Sequence, residues 1–487
     1  MAKLATHFDV LIVGAGISGI GAACHMQRKS PGRSFAILEG RENIGGTWDL
    51  FRYPGIRSDS DMYTLGYSFK PWTEAKAIAD GSAILKYLNE TIDENNLRGK
   101  IQFQSKVKRA SWSTDHARWT LEIARGDSTD VDIMTCSYLF MCSGYYNYDH
   151  GYLPDFDGMA DYDGQIVHPQ HWPQDLDYSG KNVLVIGSGA TAVTLVPAMA
   201  KDAAHVTMLQ RSPTYIVSRP GEDSIANWLR KWLPAGIAYK IARIKNVLLT
   251  MLMFKLARKK PKPFKARLIK MVREELGPGF DIEKDYTPSY DPWDQRICAV
   301  PDSDLFHVIK DGSASVITDH IDRFTKTGIL LKSGKQLQAD IIVPATGLSL
   351  QTLGGMQVII DGEELALGKT LNYKGMTLSG VPNFAWTVGY TNASWTLKAD
   401  LTADYVCRIL NHMEKHQFKI CIPQLDGENL SSEPLLDLKS GYITRALDDL
   451  PKQGIRPPWR NHQNYVTDLM HLKLGKVDDG VMKFSRT

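Results

Sequence analysis

The chain has 487 residues and a formal net charge of +3, room for two or three domains and too little charge to read as a nucleic-acid binder. Its six cysteines (Cys24, Cys136, Cys142, Cys298, Cys407, Cys421) form no CxxC pair and no metal-ligand spacing; this excludes a redox dithiol and a metal site and fits the buried, reduced thiols of a cytoplasmic protein. The N-terminal residues run into a strand without the apolar core of a signal peptide, and the longest apolar run, residues 247–254, is short of the ~20 residues a bilayer span needs.

Residues 8–13 (FDVLIV) are apolar and β-branched, the pattern of a buried parallel strand. They lead into Gly14-Ala15-Gly16-Ile17-Ser18-Gly19, a helical stretch to about residue 28, and a second strand, Phe35–Leu38, that ends in Glu39. A GxGxxG turn between strand and helix, with an acid closing the next strand, makes a Rossmann dinucleotide site. Gly14 permits the tight turn, Gly16 lets a pyrophosphate approach the backbone, and Gly19 lets helix and strand pack closely. The helix N-terminus adds free N–H groups and the positive end of its dipole. Glu39 accepts hydrogen bonds from both ribose hydroxyls and repels a 2′-phosphate, so the first nucleotide is FAD or NAD and not NADP.

The pattern recurs at Asn182–Ile186, followed by Gly187-Ser188-Gly189-Ala190-Thr191-Ala192, where Ala192 is a small residue in place of the third glycine. The next strand, residues 205–209, runs into Gln210-Arg211-Ser212 with no acid. Arg211 stands where a guanidinium pairs bidentately with a 2′-phosphate, and Ser212 adds a hydroxyl; away from this context Arg211 reads as a solvated surface arginine. The two units select opposite ligands, which implies electron transfer between two cofactors, FAD in the first and NADPH in the second.

Gly45-Gly46-Thr47-Trp48, Arg52-Tyr53-Pro54-Gly55 and Arg57-Ser58-Asp59 resemble the flavin-site segment of class B flavoprotein monooxygenases. Residues 162–173, from Tyr162 and Gly164 through His168 to Trp172 and Pro173, are similar to the fingerprint FxGxxxHxxxWP of Baeyer–Villiger monooxygenases, with Tyr162 in place of the usual phenylalanine. The Trp-Pro ending separates that group from the N- and S-oxidising flavin monooxygenases. Cys142-Ser143-Gly144-Tyr145 and Ala345-Thr346-Gly347 resemble the paired segments that pass between the two nucleotide domains. Residues 210–215 and 389–395 look closest to the ethionamide-activating branch of the family.

The resemblance implies that NADPH reduces FAD and that the reduced flavin captures O2 as a C4a-peroxide. This converts ketones to esters or lactones, with S-oxidation of sulfides or thioamides as a side activity. Carried over position by position, it puts FAD on Gly14, Gly16, Ser18, Gly19, Glu39, Thr47, Trp48, Asp49, Leu50, Asp59 and Val107. It puts NADP on Arg57, Ser58, Asp59, Gly187, Ser188, Gly189, Ala190, Thr191, Ala192, Val193, Arg211 and Ser212. The segment Asp291-Pro292-Trp293-Asp294-Gln295-Arg296 resembles the family's catalytic loop. It makes Arg296 the fixed cation for developing negative charge, with Asp59 facing it and holding its side chain. Without the resemblance Arg296 reads as a surface ion-pair partner. Gln295 stands where many members carry lysine, which leaves one NADP contact of the family without its usual residue. His168 invites a general-base role, but its place in a linker favours a hinge or packing role.

Residues 225–273 hold 14 Lys or Arg and no Asp or Glu, with Trp228, Leu229, Trp232 and Leu233 interleaved. They read as a cationic, amphipathic helical insertion. It is either a subdomain covering the active site with a solvated basic face, the favoured reading, or a peripheral membrane contact. The chain is therefore expected to be an α/β protein with two Rossmann-like dinucleotide-binding domains. An FAD domain would occupy residues 1–150 and 335–487, a linker 151–174, and an NADPH domain 175–334 with the insertion at about 222–290. The expected partners are O2 and a small ketone, sulfide or thioamide, with no metal and no nucleic acid. The alternatives are an N/S-oxidising flavin monooxygenase without ketone oxidation and a non-enzymatic, membrane-associated redox sensor. A two-dinucleotide disulfide reductase would need a cysteine pair that the sequence lacks.

Overall fold

Each glycine turn follows a strand paired in parallel with its neighbours, in a mixed first sheet and a parallel second one. The computed structural model describes residues 6–126, 128, 130–425, 431–436 and 440–486. In chain order the first sheet opens with β1 (Thr6–Val13), α1 (Ile17–Lys29), β2 (Phe35–Leu38), β3 (Ile101–Gln102), β4 (Ser105–Ser113), β5 (Arg118–Arg125) and β6 (Val131–Met141). The second sheet follows with β7 (Gln165–Ile166), β8 (Asn182–Ile186), α2 (Ala190–Met199) and β9 (His205–Gln210). Three helices interrupt it, α3 (Ser224–Trp232), α4 (Ala235–Lys259) and α5 (Pro261–Leu276). It resumes with α6 (Asp304–Lys310), β10 (Ala314–Thr318) and β11 (Ile341–Pro344). The chain then returns to the first sheet through β12 (Gln357–Ile360), β13 (Glu363–Glu364), β14 (Phe384–Trp386) and the long helix α7 (Trp395–His416).

The first sheet runs β13-β12-β4-β5-β6-β1-β2-β3, with β14 also paired to β6. The second runs β10-β9-β8-β11-β7 and is parallel throughout. The continuous apolar runs explain these placements: Val10 to Val13 and Val183 to Ile186 are buried as central parallel strands covered on both faces. Strand β11 pairs with β8 in the register Ile341↔Val183. A division at residue 335 therefore cuts the second sheet, and the return to the first lies after Pro344. A buried apolar strand carries no sequence mark of which sheet it joins, so this boundary was not readable.

The basic insertion is helical, as expected. Although α4 is inserted between strands of the second sheet, one of its faces packs on the half of the molecule that holds the first. Arg243 donates to the carbonyls of Tyr63 (2.9 Å) and Gly66 (2.7 Å), Tyr239 donates its hydroxyl to Tyr67 O (2.9 Å), and Asn246 donates to Asp61 (2.9 Å). Among the described residues no helix is long and apolar enough to cross a membrane.

Candidate active site

The turn after β1 is built on Gly14, whose φ of +105° suits glycine; a Cβ there would lie 2.6 Å from the Cys142 carbonyl oxygen. Helix α1 starts at Gly16 with no side chain capping its first amides, so those N–H groups are left for a ligand. Gly19 is buried beneath the turn and faces the Gly14 carbonyl. Glu39 ends β2 with its carboxylate buried, accepting from the amides of Ala15 (2.7 Å) and Arg41 (3.0 Å). Burial raises its pKa, and the two amides and the Arg41 charge oppose that rise.

Beside this turn opens a cleft of ≈ 470 Å³. Gly14, Gly16, Ser18, Glu39, Thr47, Trp48 and Val107 line it from the first unit, Ala190 and Thr191 from the second, and Arg57, Ser58, Asp59 and Arg296 stand between them. Three expected contacts point elsewhere. The Asp49 carboxylate is buried in ion pairs with Arg41 and Arg52, both at 2.8 Å, and Leu50 packs on the core beneath the second sheet. The Ser58 hydroxyl turns into its own loop and donates to Ser60 O (2.8 Å). Ser18 accepts a hydrogen bond from the Trp395 indole at 2.7 Å, which pins the start of α7 to the first turn.

Arg296 is half-buried, with part of its surface open to the cleft and the rest enclosed. Burial works against its charge, but Tyr442, Tyr145, Tyr146 and Asp59 outweigh that and raise its pKa. The Tyr442 phenol stands beside it, and the Arg296 Nε is buried without a hydrogen-bond partner. Asp59 attracts the guanidinium across the cleft without forming a salt bridge. No spacing rule in the sequence ties Tyr145, Tyr146 or Tyr442 to position 296. Tyr390, Trp395 and Gln351, which also line the cleft, are similarly brought in by distant elements.

In the second unit α2 starts at Gly189, again without a side-chain cap, and the space where a Cβ would stand is open. Gly187 makes the turn, Ala192 and Val193 are buried in α2, and the Ser188 hydroxyl donates to Ser212 O (3.1 Å). Arg211 and Ser212 follow β9 and are exposed, while Gln210 anchors the strand end to Asp285 O (2.7 Å) and Thr318 (2.8 Å). The two units meet through residues 51–57. Tyr53 lies beside Thr191, Gly55 lies against α2, and Arg57 forms a two-pronged ion pair with Asp304 of α6 (2.5 and 3.3 Å).

The fingerprint residues lie outside the cleft. Tyr162 is buried and donates to Ala339 O (2.9 Å), and its ring covers Gly164, where a Cβ would strike both the Tyr162 hydroxyl and Asp340 O (2.6 Å). His168 caps a short 3-10 turn by accepting from Gln170 N (3.2 Å), and its ring lies against Gly151. Burial lowers its pKa. Trp172 packs on the core of the second sheet beside Pro173. The fingerprint therefore works as packing of the linker onto the second sheet, and no part of it reaches the cleft.

A family model described as flavin-binding monooxygenase-like matches residues 8–353. The FAD-containing monooxygenase EthA of Mycobacterium tuberculosis (strain ATCC 25618 / H37Rv) is 53% identical over 481 residues, covering 99% of this chain and 98% of its own length. EthA of Mycolicibacterium smegmatis (strain ATCC 700084 / mc(2)155) is 52% identical over 482 residues, covering 99% of this chain and 97% of its own. Among solved structures, an oxidised steroid monooxygenase bound to NADP superposes with a TM-score of 0.78 at 21% identity, covering 99% of this chain and 100% of its own. The match over residues 8–353 and the identity to these relatives run through both glycine turns and the segments between them, and the chain belongs to the flavin-binding monooxygenase-like family.

Proposed function

We propose that the chain is an FAD- and NADPH-dependent Baeyer–Villiger monooxygenase. Ketone, O2, NADPH and a proton become ester or lactone, NADP⁺ and water, and sulfides or thioamides are oxidised at sulfur as a side activity. The observation that carries this is one cleft lined by the first glycine turn, by Ala190 and Thr191 of the second motif and by the half-buried Arg296. The uncapped turn at Gly16 and the buried Glu39 fit the FAD pyrophosphate and ribose; the open turn at Gly189 and the exposed Arg211 fit NADPH. When bound, FAD and NADPH supply the reducing equivalents and the activation of O2.

The chain's own residues do the rest. Glu39 rejects a 2′-phosphate at the first site and Arg211 receives one at the second. Arg296 lines the cleft and offers N–H donors where negative charge develops on oxygen. Asp59 attracts the guanidinium, which stays protonated at any working pH. The test is a ketone and sulfide panel under ¹⁸O2 with NADPH, read by mass spectrometry. One labelled oxygen in the ester is expected. Labelled sulfoxide with no ester from any ketone would replace this reading with an S-oxidising enzyme.

A further inference from the structure

The face of α4 opposite its buried contacts is an uncovered apolar row. Ile237, Ile241, Ile244, Leu248, Leu252 and Leu256 follow one another at three- and four-residue spacing, and each is 38–61% exposed. Trp228 and Trp232 of α3 extend the row and are 59% and 73% exposed. Scattered exposed hydrophobes are ordinary, but a continuous row along a 25-residue helix marks a binding face. The surrounding charge says what binds. Residues 225–273 contain 14 cations and no anion, and Lys231, Lys240, Lys255, Lys259 and Lys260 are exposed around the row.

We propose that this face docks on an anionic lipid surface and that an apolar substrate enters the enzyme from that surface. A second copy of the chain would bring like charge onto like charge, whereas anionic headgroups complement the basic rim. The bonds of Arg243, Tyr239 and Asn246 to the protein body hold α4 flat, so it lies in the interface with its apolar row in the acyl boundary and the two tryptophans at headgroup level. Behind the row is a second cavity of ≈ 490 Å³, lined by Val247, Met251, Leu252 and Phe254 of α4 and by Ala393 and Leu397. Leu252 belongs both to the exposed row and to this cavity, and Ala393 lines both the cavity and the cleft that holds Arg296. The cavity and the cleft thus adjoin at Ala393, and the proposed route of a lipid-dissolved ketone or sulfide from bilayer to cleft runs past it. The docking stands on the surface alone; the identity of the substrate rests on the monooxygenase reading above.

The test uses the FAD-loaded enzyme and the double variant Ile244→Asn with Leu248→Asn, which touches neither cavity. Wild type should co-sediment with vesicles of equal parts phosphatidylcholine and phosphatidylglycerol and not with phosphatidylcholine alone. Binding should weaken from about 0.1 M to about 1 M salt as the screening length falls to about 3 Å. The double variant should bind at least about tenfold more weakly, since two inserted apolar side chains are lost, with unchanged melting temperature and flavin content. NADPH oxidation with a short water-soluble ketone should also be unchanged, while the rate on a long-chain ketone supplied in the vesicles falls at least about tenfold. Equal recovery of wild type with and without vesicles overturns the docking. So does an oligomer in light scattering that the double variant dissolves, because a second copy then covers the row. A wild-type ratio between the two ketones in the variant overturns delivery from the lipid. Vesicle binding with neither ketone oxidised leaves the docking intact and removes the monooxygenase reading.

Discussion

Arg296 stands beside the Tyr442 phenol and is attracted by the Asp59 carboxylate, with which it forms no salt bridge. Without a tight carboxylate pair to neutralise it, the guanidinium keeps its full positive charge for whatever forms in the cleft. Replacing Arg296 by Ala should leave FAD content and the NADPH Michaelis constant near wild type and lower ketone oxygenation about 10²-fold, the scale for losing an electrostatic stabiliser of a transition state. Lys at this position should rescue only part, since it lacks the planar fork. Single-turnover product analysis checks both, and ester formation at the wild-type rate in the Ala variant would remove Arg296 from the mechanism. At the other nucleotide, Arg211→Ala should weaken NADPH by about 10- to 150-fold, the equivalent of about 1.5–3 kcal/mol for a charge-assisted bond, with little change for NADH. An unchanged NADPH Michaelis constant would move the phosphate site. Both arginines were legible in the sequence, Arg211 because a strand end fixes its place and Arg296 only through family resemblance. Tyr442 was not legible, because a contact across 146 positions obeys no local period.

Helices α1, α4 and α7 are joined at one buried carboxylate. Asp400 of α7 accepts from Ser68 N (2.9 Å), pairs with His25 of α1 (3.3 Å) and lies 3.6 Å from Arg243 of α4. Burial alone would raise the pKa of Asp400, but the hydrogen bond and charge of His25 and the charge of Arg243 outweigh it and hold the group below its ordinary value of 3.8. A depressed carboxylate stabilises the fold above its unfolded pKa, and that contribution is lost as the pH falls through the folded value. Unfolding free energy should therefore drop below pH 3.8 in the wild type, and this acid-sensitive part should be missing in Asp400→Asn. At neutral pH the variant should be less stable by about 3 kcal/mol, because it leaves Arg243 buried without its counter-charge. Denaturant titrations across pH check the sign as well as the size, and equal pH profiles for the two proteins would disprove the linkage. Elements with strong local signals, both glycine turns and the strands before them, stand where the sequence put them. The Asp400 junction was invisible because each of its members looks like an ordinary polar position on its own helix.

The two halves of the molecule meet where both nucleotides are expected to lie, so the join itself becomes part of the site. Arg57 comes from the segment that follows β2, and Asp304 begins α6 in the other half. Their two-pronged ion pair is partly buried, with side-chain exposures of 14% and 30%, and Arg57 lines the cleft as well. Asp302 and Ser303, just before Asp304, both adopt positive φ (50° and 58°), a conformation uncommon outside glycine that costs of order 1–3 kcal/mol per residue. Asp302 is held there by accepting from Gly221 N (2.9 Å), and Ser303 by a 2.6 Å hydrogen bond to Ser218. The cost of that turn is offset if Asp304 presets Arg57 for the NADPH phosphates. Asp304→Asn should then raise the NADPH Michaelis constant about three- to fivefold, in keeping with the up to ~1 kcal/mol of a partly exposed pair. FAD content should not change. Arg57→Ala should raise it further, and the double variant should be no worse than Arg57→Ala alone, because Asp304 acts only through the arginine. Steady-state kinetics over the four proteins decides the matter: if the two effects add, Asp304 serves NADPH by another route or serves only the stability of the join.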